Sequence, residues 1–113
     1  AKLKDIRNEF ETELFIPGSK EGLNVELDKA FRLNDFITMG ELIAYDALNR
    51  NESCGGHFRE EYQTEEGEAK RDDENFFYVA CWEYQGSDDK APVLYKEPLV
   101  YEAIKVQTRN YKS

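Results

Sequence analysis

One polar stretch separates the helical part of this chain from its strands: Asn51-Glu52-Ser53-Cys54-Gly55-Gly56-His57-Phe58-Arg59-Glu60-Glu61. It holds the only His, one of the two Cys and the only Gly-Gly pair of the 113 residues. Glycines can end a helix, because they tolerate a positive φ and a close backbone approach. The stretch therefore predicts a tight polar corner, which we place at residues 50–75.

Two amphipathic patterns precede the corner. The first predicts a helix over about residues 1–16, stopped by Pro17-Gly18, and the second predicts a helix over residues 25–49. Asn24 is a suitable N-cap for the second helix. Asn34-Asp35 could interrupt it, because both residue types favour caps over helix interiors. The first apolar stripe consists of Leu3, Ile6, Phe10 and Leu14.

The second helix has an apolar face too wide for one neighbouring helix to cover. It carries two adjacent stripes, and Gly40 lies between them, where another backbone could come close. A helix this apolar is usually buried on several sides. Because the chain offers only one other helix, we expect part of the cover to be missing. The stripes are Leu27, Ala30, Leu33, Ile37, Ala44 and Leu48, and Phe36, Met39, Ile43 and Ala47.

An aromatic and β-branched run follows the corner, from Phe76 to Tyr84, and predicts a strand. Both of its faces are apolar, so we expect both to be covered. Ala91 to Lys96 is the predicted partner strand, confined to an edge by Pro92 and Pro98. The sequence thus predicts an α+β fold with a β-hairpin over about residues 76–97 and an irregular tail at 98–113.

The composition excludes several classes of function. The chain has 24 Asp and Glu against 15 Lys and Arg, a net charge of −9. Nucleic acids and anionic lipid surfaces bind basic patches, so neither is an expected partner. No segment reaches the roughly 20 apolar residues that span a bilayer. Two Cys do not make a disulfide framework, which favours a reducing compartment.

The corner contains residue types that often carry chemistry. Cys54-x-x-His57 has metal-ligand spacing, but a structural zinc site needs a second pair. The same two residues could form a nucleophile and base, yet no third group is identifiable. Gly55-Gly56 lacks the Lys-Ser/Thr of a phosphate-binding loop, and the acidic residues between 60 and 74 lack the register of a calcium loop. For all of these residues, packing and capping roles are favoured over metal binding, catalysis and phosphate binding.

Three cationic side chains, His57, Arg59 and Arg71, lie among the carboxylates of the corner. They could form an ion-pair network that fixes the loop, with Asp72 and Asp73 capping the segment before the strand. They could also contact a neighbouring domain or an anionic cofactor. Composition alone does not distinguish the ion-pair network from a contact with a domain or a cofactor.

The order of the motifs resembles that of one family. Residues 47–60, Ala-Leu-Asn-Arg-Asn-Glu-Ser-Cys-Gly-Gly-His-Phe-Arg-Glu, resemble the A-L-x-R-x-E-S-R-G-x-H-x-R segment of the succinate dehydrogenase/fumarate reductase flavoprotein family. Residues 71–76 resemble its R-D-D-E-x-aromatic motif, and Thr108–Tyr111 its R-x-Y terminus. The resemblance runs from about Leu3 to Tyr111, and Cys54 stands where the family pattern has Arg.

The resemblance implies a C-terminal domain, spectrin-repeat-like in its antiparallel helical bundle and ending in a two-stranded antiparallel β-hairpin. It implies that the bundle is truncated here and that the chain is a segment of a longer flavoprotein. The implied parent is an enzyme that oxidises succinate or reduces fumarate, by hydride transfer between flavin N5 and substrate carbon with an Arg proton relay.

In this family FAD binds in an N-terminal Rossmann-like domain, and the dicarboxylate is handled there and in a capping domain. The chain has no G-x-G-x-x-G, no H-x-T and no second His. We therefore assign it no catalytic, cofactor-binding or metal-binding residue, and expect the isolated fragment to be inactive. The resemblance implies that the corner helps to dock the domain on the flavin domain. The docking residues would be Glu52, Ser53, Gly55, His57, Arg59, Arg71, Asp72 and Asp73.

The implied partners are the flavin-binding and capping domains of the same chain, an iron–sulfur subunit and a membrane anchor. The parent would be cytoplasmic, held at the inner face of the cytoplasmic membrane. The isolated fragment could also self-associate through its apolar helix face. Alternatives are the same domain of an aspartate oxidase or adenylylsulfate reductase, and an independent interaction module with an aromatic hairpin surface.

Overall fold

The computed structural model describes residues 2–19, 21–87 and 90–107. Three helices, α1 (Lys2–Glu13), α2 (Val25–Asn49) and α3 (Asp73–Phe76), are followed by strands β1 (Tyr78–Glu83) and β2 (Val93–Pro98). This order confirms the α+β class with a two-stranded antiparallel sheet. The chain divides into two compact units between Leu48 and Asn49. The spectrin-repeat-like arrangement of the bundle stays a prediction.

Helix α1 is shorter than predicted, because it ends at Glu13 and not near residue 16. Proline disfavours the helical conformation of the residue before it, so Ile16 could not continue the helix into Pro17. The segment from Leu14 to Pro17 instead lines a shallow groove together with Ala30 and Leu33 of α2. Leu14 and Phe15 are 46% and 84% exposed, so this non-helical segment borders the groove without being buried in it.

Helix α2 has the predicted bounds and is continuous. Its N-terminus is capped as expected, since the Leu27 N–H donates to Asn24 Oδ1 at 3.1 Å. The possible interruption at Asn34-Asp35 is absent. The low helix propensity of these two residues costs only about 0.5 kcal/mol each, which is too little to break a long helix.

Polar contacts from Arg7 join the two long helices. The Arg7 guanidinium donates to the Glu41 carboxylate (2.6 Å) and to Thr38 Oγ1 (3.1 Å). Ala30 and Ile37 are the buried hydrophobic residues of α2 within the described chain. So small a buried set agrees with the expectation that α2 has more apolar surface than α1 can cover.

Asn24→Ala is expected to cost about 1 kcal/mol, because it removes the acceptor at the N-terminus of α2. Asn24 Nδ2 also donates to the carbonyls of Pro17 and Ser19, so the connector loosens too. Thermal unfolding followed by far-ultraviolet circular dichroism measures the loss. Asn34→Ala is the matched control, and should be neutral or slightly stabilising because Asn34 is exposed within the same helix. Equal effects of the two changes would contradict the capping role.

The hairpin begins later than the aromatic run suggested. Phe76 was assigned to the strand, but it ends the short helix α3, and β1 starts at Tyr78. The partner strand, predicted at Ala91–Lys96, runs from Val93 to Pro98, with Tyr78 opposite Pro98 and Glu83 opposite Val93. Proline has no N–H for the ladder, which explains why Pro92 stays outside it and Pro98 lies at its end.

One face of the hairpin is half-buried and the other is open. Tyr78, Ala80 and Trp82 are half-buried, whereas Val79 is 49% exposed and Cys81 is also exposed. The expectation that both faces are covered is therefore wrong for the described residues, because they supply no layer over the second face. Residues 99–107 contain no helix or strand, as predicted. The R-x-Y terminus lies outside the described residues.

Candidate functional site: the polar corner

The tip of the polar corner is a tight turn formed by Cys54, Gly55, Gly56 and His57. The Cys54 N–H donates to the His57 carbonyl (2.8 Å), and the His57 N–H donates to the Cys54 carbonyl (3.1 Å). Gly55 has a φ of 58°, whereas Gly56 has no positive φ. This is the pattern of a type II′ hairpin turn, which favours Gly at its first central position. The Cys-x-x-His spacing is thus the spacing of a two-residue turn.

The two glycines provide a matched test of this turn. An added Cβ at either position would meet no atom of the described chain within 4 Å, so only the backbone conformation distinguishes them. Gly55→Ala is expected to cost about 1 to 2 kcal/mol, because alanine is strained at positive φ. Gly56→Ala should be neutral or stabilising by up to about 1 kcal/mol. Urea unfolding followed by the fluorescence of Trp82 measures both, and equal losses would contradict the turn assignment.

Glu52 is a buried carboxylate with two separate partners. Its residue is 2% exposed, and Arg50 Nη1 donates to Glu52 Oε1 at 2.6 Å. The second oxygen, Oε2, accepts from the backbone N–H of Asp72 at 2.9 Å. A buried charge is tolerated only when it is paired and hydrogen-bonded, and both conditions are met. Glu52 therefore joins Arg50 to the segment that precedes α3.

Arg50 also contacts the backbone at the start of the hairpin. Its Nη1 also donates to the Phe76 carbonyl (3.2 Å), and its Nη2 donates to the Tyr78 carbonyl (3.3 Å). The guanidinium lies 5.7 Å from the ring centroid of Phe76 and 5.3 Å from that of Tyr78, within cation–π range. One guanidinium therefore holds a carboxylate, two backbone carbonyls and two aromatic rings.

Ser53 is fully buried and hydrogen-bonded on both sides of its hydroxyl group. Ser53 Oγ accepts from the Arg59 N–H at 2.8 Å and lies 3.2 Å from the Arg59 carbonyl, to which the hydroxyl donates. The Ser53 N–H donates to the Lys70 carbonyl at 2.9 Å. Because it is fully buried and its hydroxyl group both donates and accepts, this serine links two parts of the corner and has a structural role.

His57 and Arg59 cap the carbonyl that follows α2. The Arg50 carbonyl lies 3.0 Å from His57 Nε2 and 3.2 Å from Arg59 Nη1. A carbonyl only accepts, so Nε2 carries a proton here and is not a free base or metal ligand. Arg59 Nη1 also donates to Asn51 Oδ1 at 2.9 Å, and the guanidinium pairs with Glu61. The backbone N–H of Glu61 and then Arg59 lower the pKa of the Glu61 carboxyl.

The R-D-D-E segment forms the N-terminus of α3. Asp72 is its N-cap, since Asp72 Oδ1 accepts from the Asn75 N–H at 3.2 Å. Asp73 pairs with Arg71 through Asp73 Oδ1, which accepts from Arg71 Nε at 2.9 Å. Burial alone would lower the pKa of Arg71, but the Asp73 carboxylate outweighs it and the pKa is raised. Of the two aspartates that were expected to cap this segment, Asp72 caps α3, whereas Asp73 pairs with Arg71.

The eight candidate residues lie together in one corner, where their contacts are made to other residues of the corner. Among the described residues, no buried side-chain nitrogen or oxygen lacks a partner. Arg50 is the key residue that was left out of the candidate set, although it lies in the same motif. Its place in the motif, two residues before Glu52, was the available signal, but its carbonyl partners are 26 and 28 residues away along the chain.

The tip of the corner exposes few side chains that could bind a ligand or take part in a reaction. Gly55 and Gly56 are exposed and Phe58 is 50% exposed, while Cys54 is a free, partly buried thiol. No group of three or more His, Cys, Asp or Glu that could hold a metal ion occurs in the part of the chain that was described. The arrangement can present a rigid loop with bare backbone and one aromatic ring to another surface.

Comparison with known proteins identifies the family. A family model described as the fumarate reductase flavoprotein C-term matches residues 1–111, a range that includes the corner and the hairpin. Neither the curated proteins nor the solved structures contain a significant match. In the described part of the chain, no helix is both long and apolar enough to cross a membrane. The chain belongs to the C-terminal domain family of the fumarate reductase and succinate dehydrogenase flavoproteins, which are oxidoreductases at full length.

Proposed function

We propose that this chain is the C-terminal domain of an FAD-dependent enzyme that interconverts succinate and fumarate, and that the domain itself is catalytically silent. The family match over residues 1–111 carries this proposal. FAD, bound outside this domain, would supply the hydride chemistry. The residues of the domain would contribute structure, because the three arginines of its corner each pair with a carboxylate of the same corner.

The polar corner is the proposed docking element for the flavin-binding domain. Glu52 and Ser53 are buried, so they would act from inside by fixing the shape of the loop. The surface that meets the flavin domain would be the turn at Gly55 and Gly56, with Phe58 beside it. Hydrogen-bonded turns lose little conformational entropy on docking, which favours binding by a preformed loop.

We further propose that the enzyme works with an iron–sulfur subunit at a membrane anchor, on the cytoplasmic face of the membrane. Such a partner is the electron carrier that a flavin needs when its other substrate is a membrane quinone. The family membership supports this placement, since the domain is named for fumarate reductase flavoproteins.

The test is to purify the flavoprotein that carries this domain and to record its absorption spectrum and activity. We expect a flavin spectrum, dye reduction that depends on succinate, and fumarate reduction by a reduced dye. The 113-residue chain alone should show neither spectrum nor activity. Oxidation of L-aspartate or reduction of adenylylsulfate would assign the domain to another flavoenzyme, and a protein without flavin would identify an independent interaction module.

A docking test uses Gly56→Leu in the same flavoprotein. A Cβ at this exposed position would meet no atom of the described chain within 4 Å, whereas a leucine side chain would clash with a surface that lies against the turn. We expect faster loss of FAD on dilution and lower activity. Glu97→Leu, an exposed change on β2, is the control and should leave both unchanged. Unchanged FAD retention in the Gly56 variant would exclude docking through this turn.

A further inference from the structure

The hairpin is a sheet of two strands, so within the described chain each strand has an outer edge without a neighbouring strand. Such an edge presents backbone groups that can pair with a strand of another molecule. In an antiparallel pair, residues that bond to the partner strand alternate with residues whose backbone groups point outward. The Leu99 N–H donates to the Phe77 carbonyl at 3.2 Å, so Phe77 bonds toward the β2 side. The backbone groups of Tyr78 and Ala80 therefore point to the outer edge of β1.

The outer edge of β2 is protected by the sequence of β2 itself. Pro98 ends the strand and Pro92 precedes it, and proline has no N–H to offer to another strand. Both are an even number of positions from Lys96, which lies opposite Ala80, so all three belong to the outward-pointing set. Proline and lysine are the residues with which proteins commonly prevent pairing at a sheet edge.

Strand β1 contains no residue of this kind. Residues 76–82 have no charge, no Pro and no Gly, and four of the seven are aromatic. An uncharged run of this length with high β-propensity is typical of strands that pair with copies of themselves. The protection of this edge must therefore come from another part of the chain.

Arg50 occupies the part of the outer edge where β1 begins. Its Nη2 donates to the outward-pointing carbonyl of Tyr78 (3.3 Å), and its Nη1 donates to the carbonyl of Phe76 (3.2 Å). A strand that added to β1 would need the Tyr78 carbonyl as an acceptor for its own N–H. The Arg50 side chain is 20% exposed, so the guanidinium lies where such a strand would approach, and Glu52 holds it there.

We infer that Arg50 protects the outer edge of β1 from pairing with the β1 strand of a second copy of this chain. Identical edges related by a two-fold axis can pair in antiparallel fashion. Residues 76–82 would bring no like charges together, in spite of the net charge of −9. Arg50 prevents this pairing because it occupies the acceptors and places a charge that an apolar strand would have to bury. This role concerns association between molecules, and it does not depend on the proposed function.

The first test compares Arg50→Met with Arg50→Met/Ala80→Pro in the 113-residue chain by sedimentation velocity. Arg50→Met should sediment faster than the parent chain as the concentration rises, because the edge can then accept a second copy. Ala80→Pro removes an outward-pointing N–H and no bond to β2, so it should return the sedimentation to that of the parent. Association that persists with Ala80→Pro, or no association beyond that of the parent, would overturn the inference.

A second test reports on the edge itself, because unfolded chains can also associate. The Arg50→Met/Glu52→Leu variant strands no buried charge, but it leaves the Phe76 and Tyr78 carbonyls without Arg50. Its Ala80 amide should exchange with solvent at least about tenfold more slowly at high than at low protein concentration, as measured by NMR, because pairing covers it. The parent should show no such dependence. Equal exchange rates at both concentrations in the variant, or slower exchange in the concentrated parent, would exclude the protective role of Arg50.

Discussion

Replacing Glu52 by alanine is expected to lower the free energy of unfolding by about 3 to 5 kcal/mol, one of the two largest losses among the single changes proposed for the corner. The carboxylate is buried and holds both Arg50 and the Asp72 N–H. Removing it leaves one partly buried guanidinium without its counter-ion and one backbone donor without its acceptor. The loss comes from these stranded groups more than from the ion pair itself.

The measurement is urea unfolding followed by Trp82, the only tryptophan, which lies in β1 of the same compact unit as the corner. Glu52→Gln should lose about 2 to 3 kcal/mol, because an oxygen acceptor remains but the charge is lost. Glu97→Gln, on exposed β2, is the matched control and should stay within about 0.5 kcal/mol of the parent. A midpoint for Glu52→Ala close to that of the control would show that the carboxylate is not part of the folded corner.

The helices were the part of the fold that sequence could predict. The bounds of α2 follow from local rules, since Asn24 supplies the cap, and apolar residues recur at helical spacing up to the corner. The end of α1 was misplaced because the apolar pattern continues through Leu14, whereas the backbone is already constrained by Pro17. Periodicity records which residues are apolar, and it does not show whether they lie in a helix or in an extended segment.

In the corner, the sequence predicted contacts between near neighbours but not contacts between residues far apart along the chain. The turn at Gly55 and the cap at Asp72 depend on neighbours a few residues away, and both were within reach. The roles of Glu52 and Ser53 depend on Lys70 and on Asp72, partners that only the folded chain brings close. The family pattern marked these positions without giving a reason for them. The reason is burial of polar groups that must all be paired at once.

The exposed apolar residues of α2 were also foreseen, and for a physical reason. Two apolar stripes on one helix need two neighbours, and within its own compact unit the described chain offers one other helix, α1. This argument depends only on the width of the apolar face, so it needed no knowledge of the tertiary structure. It could not show that a Cβ at Gly40 would meet no atom within 4 Å beyond its own helix backbone.

Removal of the Arg50 guanidinium is the second change that we expect to lower the free energy of unfolding strongly. The size of this loss tests whether the corner and the hairpin unfold as one unit. Arg50→Met keeps most of the stem but leaves Glu52 buried and unpaired, and it frees the carbonyls of Phe76 and Tyr78. We expect a loss of about 3 to 5 kcal/mol by urea unfolding. Arg50→Lys should recover part of it, since an ammonium group can reach one acceptor but cannot span the carboxylate and both carbonyls.

The decisive experiment is a double-mutant cycle with Arg50→Met and Glu52→Leu. Each single change strands the other charge, whereas the double change removes both, so the double variant should lose less than the sum by about 1 to 3 kcal/mol. The recovery should be incomplete, because the Asp72 N–H and the Phe76 and Tyr78 carbonyls stay unpaired in the double variant. Additive losses would mean that Arg50 and Glu52 act independently. The corner would then be two separate contacts, and docking through a single rigid loop would lose its physical basis.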